Sequence, residues 1–130
     1  VLALIHDAGR YLVARRPSGV PCGGHWELPG GKRERGEDDR TALARELAEE
    51  LGVELLAARP FVAWNQDLGE RYRCFHCYRC RLFDPAAARP LAAAALRWVD
   101  PPAFLGLDFP AANEPILDRF RRYHRLEPRS

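Results

Sequence analysis

Gly31 to Val53, GKRERGEDDRTALARELAEELGV, is the stretch that decides the fold. A glycine-bearing loop feeds a helix carrying Arg45-Glu46-Leu47-Ala48-Glu49-Glu50. Side chains three and four apart share one face of a helix. Glu46, Glu49 and Glu50 therefore crowd onto one stripe, with Glu37 one turn before the helix. Like charges that close destabilise a helix unless something positive holds them. A hard divalent cation with oxygen ligands would do so, and Mg2+ normally brings a phosphate substrate with it. The bland reading of Glu49-Glu50 alone is a solvated acidic face.

The rest of the helix reads consistently. Leu43, Leu47 and Leu51 recur every fourth residue, with Ala44 and Ala48 beside them, and predict a buried stripe. Asp38 is placed to cap the helix, and acidic residues suit its first turn. Gly52 suits the left-handed residue that ends it. Arg45 is expected to pair with Glu37, because a bidentate guanidinium fixes a carboxylate well. Gly30 and Gly31 let the backbone approach a ligand closely.

Outward from this segment, the chain alternates strands with loops. Val1–Ile5, a turn at Asp7-Ala8-Gly9 and Tyr11–Ala14 read as a hairpin. Trp26-Glu27-Leu28 reads as a short strand entering Pro29-Gly30-Gly31. Glu54–Trp64 and Arg71–Phe83 read as strands around a turn at Asp67-Leu68-Gly69, and Leu96–Val99 as another. Pro101-Pro102 opens a short turn, and Glu114–His124 forms a second helix with Ile116, Leu117 and Phe120 as its core face. Strands and two helices intermixed make an α+β chain, expected as one domain over residues 1–130.

Composition narrows the class. At 130 residues, 47% hydrophobic and 29% charged, the chain is long enough for a proper core and reads as globular. A net charge of +2 is too small to call for a nucleic-acid polymer as partner. No apolar run approaches about 18 residues, so no membrane role is expected. Val1 opens the chain inside a strand and without Met, which leaves room for a longer parent chain or a fused domain. Cys74, Cys77 and Cys80 have a spacing known from zinc and iron–sulfur sites, with Cys22 far upstream. Their aromatic surroundings predict a strand instead, where residues three apart face opposite sides. Reduced strand thiols suit a cytoplasmic protein.

The spacing of Gly31, Glu37, Arg45-Glu46-Leu47, Glu49-Glu50 and Gly52-Val53 resembles the signature of the Nudix hydrolases at every fixed position. The resemblance implies the Nudix fold, a mixed β-sheet sandwiched between helices in an α/β/α sandwich. It implies metal binding by Glu46, Glu49, Glu50 and the Gly30 carbonyl, with Mg2+ as cofactor and Mn2+ as its substitute. It also implies catalytic roles for Glu46 and Glu49, with Arg45 and Glu37 completing the set. The expected reaction is attack of water on a diphosphate link of a nucleoside triphosphate.

The segment Asp108–Leu117 resembles the purine-contacting segment of the MutT-type 8-oxo-dGTP diphosphatases. There the counterpart of Asn113 reads the base edge, a task suited to an amide with one donor and one acceptor group. Asn113 could equally cap the last helix. By the same resemblance Leu28 flanks the base, and Arg16 contacts substrate unless it is simply solvated. Arg71 is a further candidate. The implied activity is hydrolysis of 8-oxo-dGTP to 8-oxo-dGMP and pyrophosphate, sanitising the nucleotide pool. One position departs: where the subgroup has another glutamate, the loop reads Leu91-Ala-Ala-Ala-Ala-Leu96, with Ala92 aligned to it. Two alternatives stand beside this reading. They are hydrolysis of another nucleoside triphosphate, such as a pyrimidine nucleotide, and a nucleotide-binding domain with weakened catalysis.

Overall fold

Successive residues of a strand face opposite sides, so a strand buried on both faces reads as an unbroken apolar run. β1 (Leu2–Asp7) and β2 (Arg10–Arg15) are such strands, with Ala3, Leu4, Ile5 and Tyr11 to Ala14 all buried. Ala8 and Gly9 join them with φ of 49° and 77°. Positive φ at both central residues is what a tight hairpin turn requires. The computed structural model describes residues 1–126 apart from Cys22 and Leu68.

β3 (Trp26–Glu27), α1 (Asp39–Leu51), β4 (Leu55–Asp67), β5 (Tyr72–Leu82), β6 (Ala95–Val99), α2 (Pro101–Leu105) and α3 (Glu114–Tyr123) follow in order. The strands form one mixed sheet of order β3-β2-β1-β5-β4, with β6 beside β2. β1 runs parallel to β5, pairing Leu2 to Ile5 with Cys77 to Cys80, while the other pairings are antiparallel.

Alternation then divides the interior in two. On one face α1 lays Leu43, Leu47 and Leu51 against Ala3, Ile5, Leu12 and Cys80. On the other, Phe104 of α2 and Ile116 and Phe120 of α3 pack on Leu4, Tyr11, Val13 and Cys77. The sandwich architecture is present, and so are the leucines of the predicted α1 stripe, but Ala44 and Ala48 are exposed and Ala42 is buried instead. Cys77 and Cys80 point into opposite cores and Cys74 is exposed, as a strand requires. Among the described residues these thiols are free and no zinc-type cluster forms. Cys22 and the Leu68 of the expected turn lie outside the described residues.

Two details differ from the sequence expectation. The sheet is flanked by three helices rather than two. Asp100 Oδ1 accepts from the Ala103 N–H at 2.9 Å, and a leading proline is preorganised for helix, so Pro101–Leu105 coils instead of merely turning. β4 extends to Asp67 rather than ending at Trp64. It tolerates Pro60 because it is an edge strand, and its register shifts between Pro60 and Val62.

Candidate active site

The loop before α1 and the helix itself are joined by a single guanidinium. Arg45 Nε and Nη2 donate to the two carboxylate oxygens of Glu37 at 2.8 and 2.9 Å. Its Nη1 donates to Glu46 Oε1 at 3.0 Å and reaches Glu49 Oε2 at 3.4 Å, while Nη2 also meets the Lys32 carbonyl at 3.1 Å. The expected Arg45–Glu37 pair is therefore present and bidentate. Hydrogen bonds from Arg45 bring the Glu37 pKa down to about 2, and Glu37 in turn raises that of Arg45. Part of the positive charge that the carboxylate stripe needs comes from Arg45 itself. The helix ends are as expected: Asp38 Oδ1 accepts from Thr41 N–H at 2.8 Å, and Gly52 closes the helix at φ 67°.

Glu50 lies apart from this network. The Gly30 N–H donates to its Oε2 at 2.9 Å. Burial pushes the Glu50 pKa up to about 7 against that hydrogen bond, and the negative charge of Glu46 adds to the rise. Gly30 sits at φ 150°, where a side chain would also run into the Val1 carbonyl and Leu2. A Cβ on Gly31 would collide with the Glu46 carboxylate. Gly30 is thus required by its close approach to β1, whereas at Gly31 the obstacle is the movable end of the Glu46 side chain.

The three carboxylates are oxygen donors only, the kind a hard divalent cation prefers. Their chemistry fits such an ion. Among the described residues, however, no three acidic, imidazole or thiol groups converge as an enclosed cage. Glu46 and Glu49 lean on Arg45, and Glu50 leans on the Gly30 amide.

A cleft of about 670 Å³ runs beside this helix. Gly30, Glu50, Arg16, Leu28 and Arg71 all line it, so half of the predicted site residues share one cavity, while Glu37, Arg45, Glu46, Glu49 and Asn113 do not line it. Arg16 is not merely solvated: Nη1 pairs with Glu27 Oε2 at 3.1 Å and Nε donates to the Pro21 carbonyl at 2.8 Å. Leu28 is only 4% exposed and packs mainly into the α2–α3 core, which limits it to the cleft floor. Arg71 is exposed at the rim, just before β5.

Asn113 stands apart. It holds the N-cap position of α3, yet its side chain makes no capping hydrogen bond. It is half-buried and does not line the cleft, although its segment is tied to β3 by the Trp26 N–H donating to the Asp108 carbonyl at 2.9 Å. Ala92 is exposed in a loop whose neighbours are fastened to the Glu50 and Arg15 carbonyls by Leu91 and Ala94. That loop brings no carboxylate.

The cleft also contains residues that the sequence did not single out, namely Lys32, Arg33, Asp39, Arg73, Phe75 and His76. The meeting of His76 with Asp39 is made by the fold, since the two residues lie on different elements far apart in the chain.

The geometry so far defines a phosphate-handling hydrolase site: a cationic cleft beside a braced row of carboxylates. The NUDIX domain family matches residues 1–119, and the chain belongs to the Nudix hydrolases, enzymes that act on the diphosphate linkages of nucleotides. It is similar to the CTP pyrophosphohydrolase of Escherichia coli strain K12, at 31% identity over 98% of this chain and 94% of that protein. Similarity to the 8-oxo-dGTP diphosphatase of the same organism is 27% over 90% of each chain. The fold matches the solution structure of the E. coli ORF135 protein with a TM-score of 0.79 and 30% identity, covering 99% of this chain and 91% of that one. No helix among the described residues is long and apolar enough to cross a membrane.

Proposed function

We propose that the chain is a divalent-cation-dependent nucleoside triphosphate pyrophosphohydrolase, releasing a nucleoside monophosphate and pyrophosphate. The observation that carries this reading is the placement of Glu50 and Gly30 in a cleft whose walls hold Arg16, Lys32, Arg33, Arg71 and Arg73. Such a cleft attracts a polyanion and delivers it to the carboxylate row. The proposed ligands are Glu46, Glu49, Glu50 and the Gly30 carbonyl, and the proposed ion is Mg2+, with Mn2+ as substitute. A bound cation supplies charge neutralisation and an acidified water.

The protein's own groups have separable tasks. Arg45 holds Glu37, Glu46 and Glu49 in register, so that the loop and helix act as one piece. Burial makes Glu50 an unusually basic carboxylate. With Ala92 in place of a further glutamate, Glu46 or Glu49 is left to accept the proton of the attacking water. Arg16 and Arg71 contact the substrate from the cleft walls.

For the base, the first reading is 8-oxo-dGTP, read at its edge by Asn113 with Leu28 beneath. The idle capping position of Asn113 supports it, because the amide is not committed to α3. The second reading is CTP or a related pyrimidine nucleotide. It is supported by the higher identity and longer coverage of the CTP pyrophosphohydrolase, and by the absence of Asn113 from the cleft lining. The proposed setting is one catalytic domain in the cytoplasm. A panel of 8-oxo-dGTP, dGTP, CTP and dCTP with Mg2+, scored for pyrophosphate against phosphate, tests the whole. Pyrophosphate from 8-oxo-dGTP above all others supports the first reading, and preference for CTP supports the second. A protein that binds these nucleotides without releasing pyrophosphate would sink the catalytic reading.

A further inference from the structure

His76 and Asp39 meet in a part of the cleft that the chemistry above leaves unused. Asp39 opens α1, and His76 lies on β5. Asp39 Oδ2 accepts from His76 Nδ1 at 2.7 Å and from the Tyr78 hydroxyl, while its Oδ1 accepts from Arg33 Nη1 at 2.9 Å. Burial works to raise the Asp39 pKa, but hydrogen bonds from Tyr78 and His76 outweigh it and keep the group ionised. An ionised carboxylate only accepts, so Nδ1 carries the hydrogen. The ring is thereby fixed in rotation, with its other nitrogen uncommitted to Asp39.

The two partners differ in exposure. The Asp39 side chain is 14% exposed and that of His76 is 44% exposed. The carboxylate is thus set behind the ring, and the ring is presented to the cleft that both residues line. Lys32 and Arg33 lie on the same wall. β1 and β2 lie between β5, which carries His76, and β3; Leu28 follows β3 and Arg16 follows β2, and these two stand for the base side. Leu2 of β1 bridges to Gly30, which places the Gly30–Glu50 contact between the two ends. A nucleotide with its base toward β3 and its phosphates over Glu50 would run its far end toward His76. With Nδ1 turned to Asp39, Nε2 is the ring nitrogen left to face that far end.

We propose that His76, positioned by Asp39, contacts the phosphate end of the substrate remote from the base and favours a triphosphate over a diphosphate. This rests on the triphosphate reading above. His76 touches substrate, and Asp39 is a positioning residue that acts through it. No covalent step is added: the contact orients the leaving pyrophosphate.

The test compares kcat/KM for a nucleoside triphosphate and its diphosphate in the wild type, His76→Ala, His76→Gln and Asp39→Asn. His76→Ala should lower kcat/KM about tenfold for the triphosphate and less than about twofold for the diphosphate. His76→Gln keeps an N–H donor and should recover part of the loss. It also serves if the alanine variant folds poorly. Asp39→Asn should raise KM for the triphosphate more than it lowers kcat. Equal losses on both substrates, or none, overturn the proposal. If the wild type cleaves no nucleoside triphosphate, the substrate reading has failed on its own. Calorimetric titration with inorganic tripolyphosphate then decides. Binding weakened about tenfold by His76→Ala supports the contact, while equal binding, or none by the wild type, overturns it.

Discussion

Helices α1 and α3 begin in opposite ways. Asp38 spends its carboxylate on the Thr41 N–H, and α1 is closed at its start. Asn113 occupies the same position at α3 and makes no such bond. Both helices are equally well anchored further along, α1 by Leu47 and α3 by Phe120, each fully buried. Anchoring therefore does not explain the difference. A residue type suited to capping that does not cap is free for another task, and the difference separates a structural terminus from one available to a ligand.

The largest effect should come from the chemistry carried on α1. Glu50→Gln should reduce turnover about a thousandfold for every nucleotide in the panel. A loss confined to one nucleotide would mean that Glu50 reads the base, and the division between the helices would collapse. Next, Leu47→Ala and Phe120→Ala should each cost about 3 kcal/mol in denaturant unfolding, because both leave a cavity in a closed core. Clearly unequal losses would show that one helix is held more loosely, and the comparison of their starts would lose its control.

Asn113→Ala should lower kcat/KM about tenfold on the preferred nucleotide, leave its oxidised or unoxidised counterpart less affected, and barely move the melting temperature. Asp38→Ala should do the reverse, lowering the melting temperature without changing the preference between nucleotides. If Asn113→Ala destabilises the fold as Asp38→Ala does, Asn113 is an ordinary cap after all. The smallest effect concerns acid. Glu37 has a folded pKa of about 2 against an ordinary 4.5, so its pairing with Arg45 stabilises fully above that ordinary value. The contribution fades as pH falls toward 2. Glu37→Gln should therefore flatten the acid limb of the stability curve, with the gap to wild type widest at neutral pH and closing toward pH 2. An unchanged acid limb would show that the pair contributes nothing.

Much of α1 was readable because its constraints are local. The Leu43–Leu47–Leu51 stripe, the Asp38 cap, the Gly52 terminus and the Arg45–Glu37 pair depend on neighbours a few positions away, and all are present. The reading erred where a local signal had two meanings. Pro101-Pro102 looked like a breaker, but proline at a helix start with Asp100 before it favours a helix. Pro60 gave no reason to expect so long a β4, since only the sheet reveals that the strand is an edge. The role of Arg45 as a partial substitute for cation charge was half visible, because its pairing was expected but its reach to Glu46 was not. The Asp39–His76–Tyr78 contact left no trace at all: it exists only because β5 is laid beside the start of α1.

The sheet order has a consequence for how the chain is made. β1 is an internal strand, and its parallel partner β5 follows only after the hairpin, α1 and β4. A chain emerging from the ribosome can close β1 on β2 early, but its other edge must wait until Cys77 to Cys80 arrive to pair with Leu2 to Ile5. Until then Ala3 and Ile5 have α1 to cover them but no strand on the β5 side of β1. Non-local pairing of this kind slows folding and leaves an open edge in the meantime. Synthesis stalled between Leu51 and Tyr72 should therefore yield a chain with its helix formed and its sheet still sticky. The completed β5 is the event that commits the protein to its final shape.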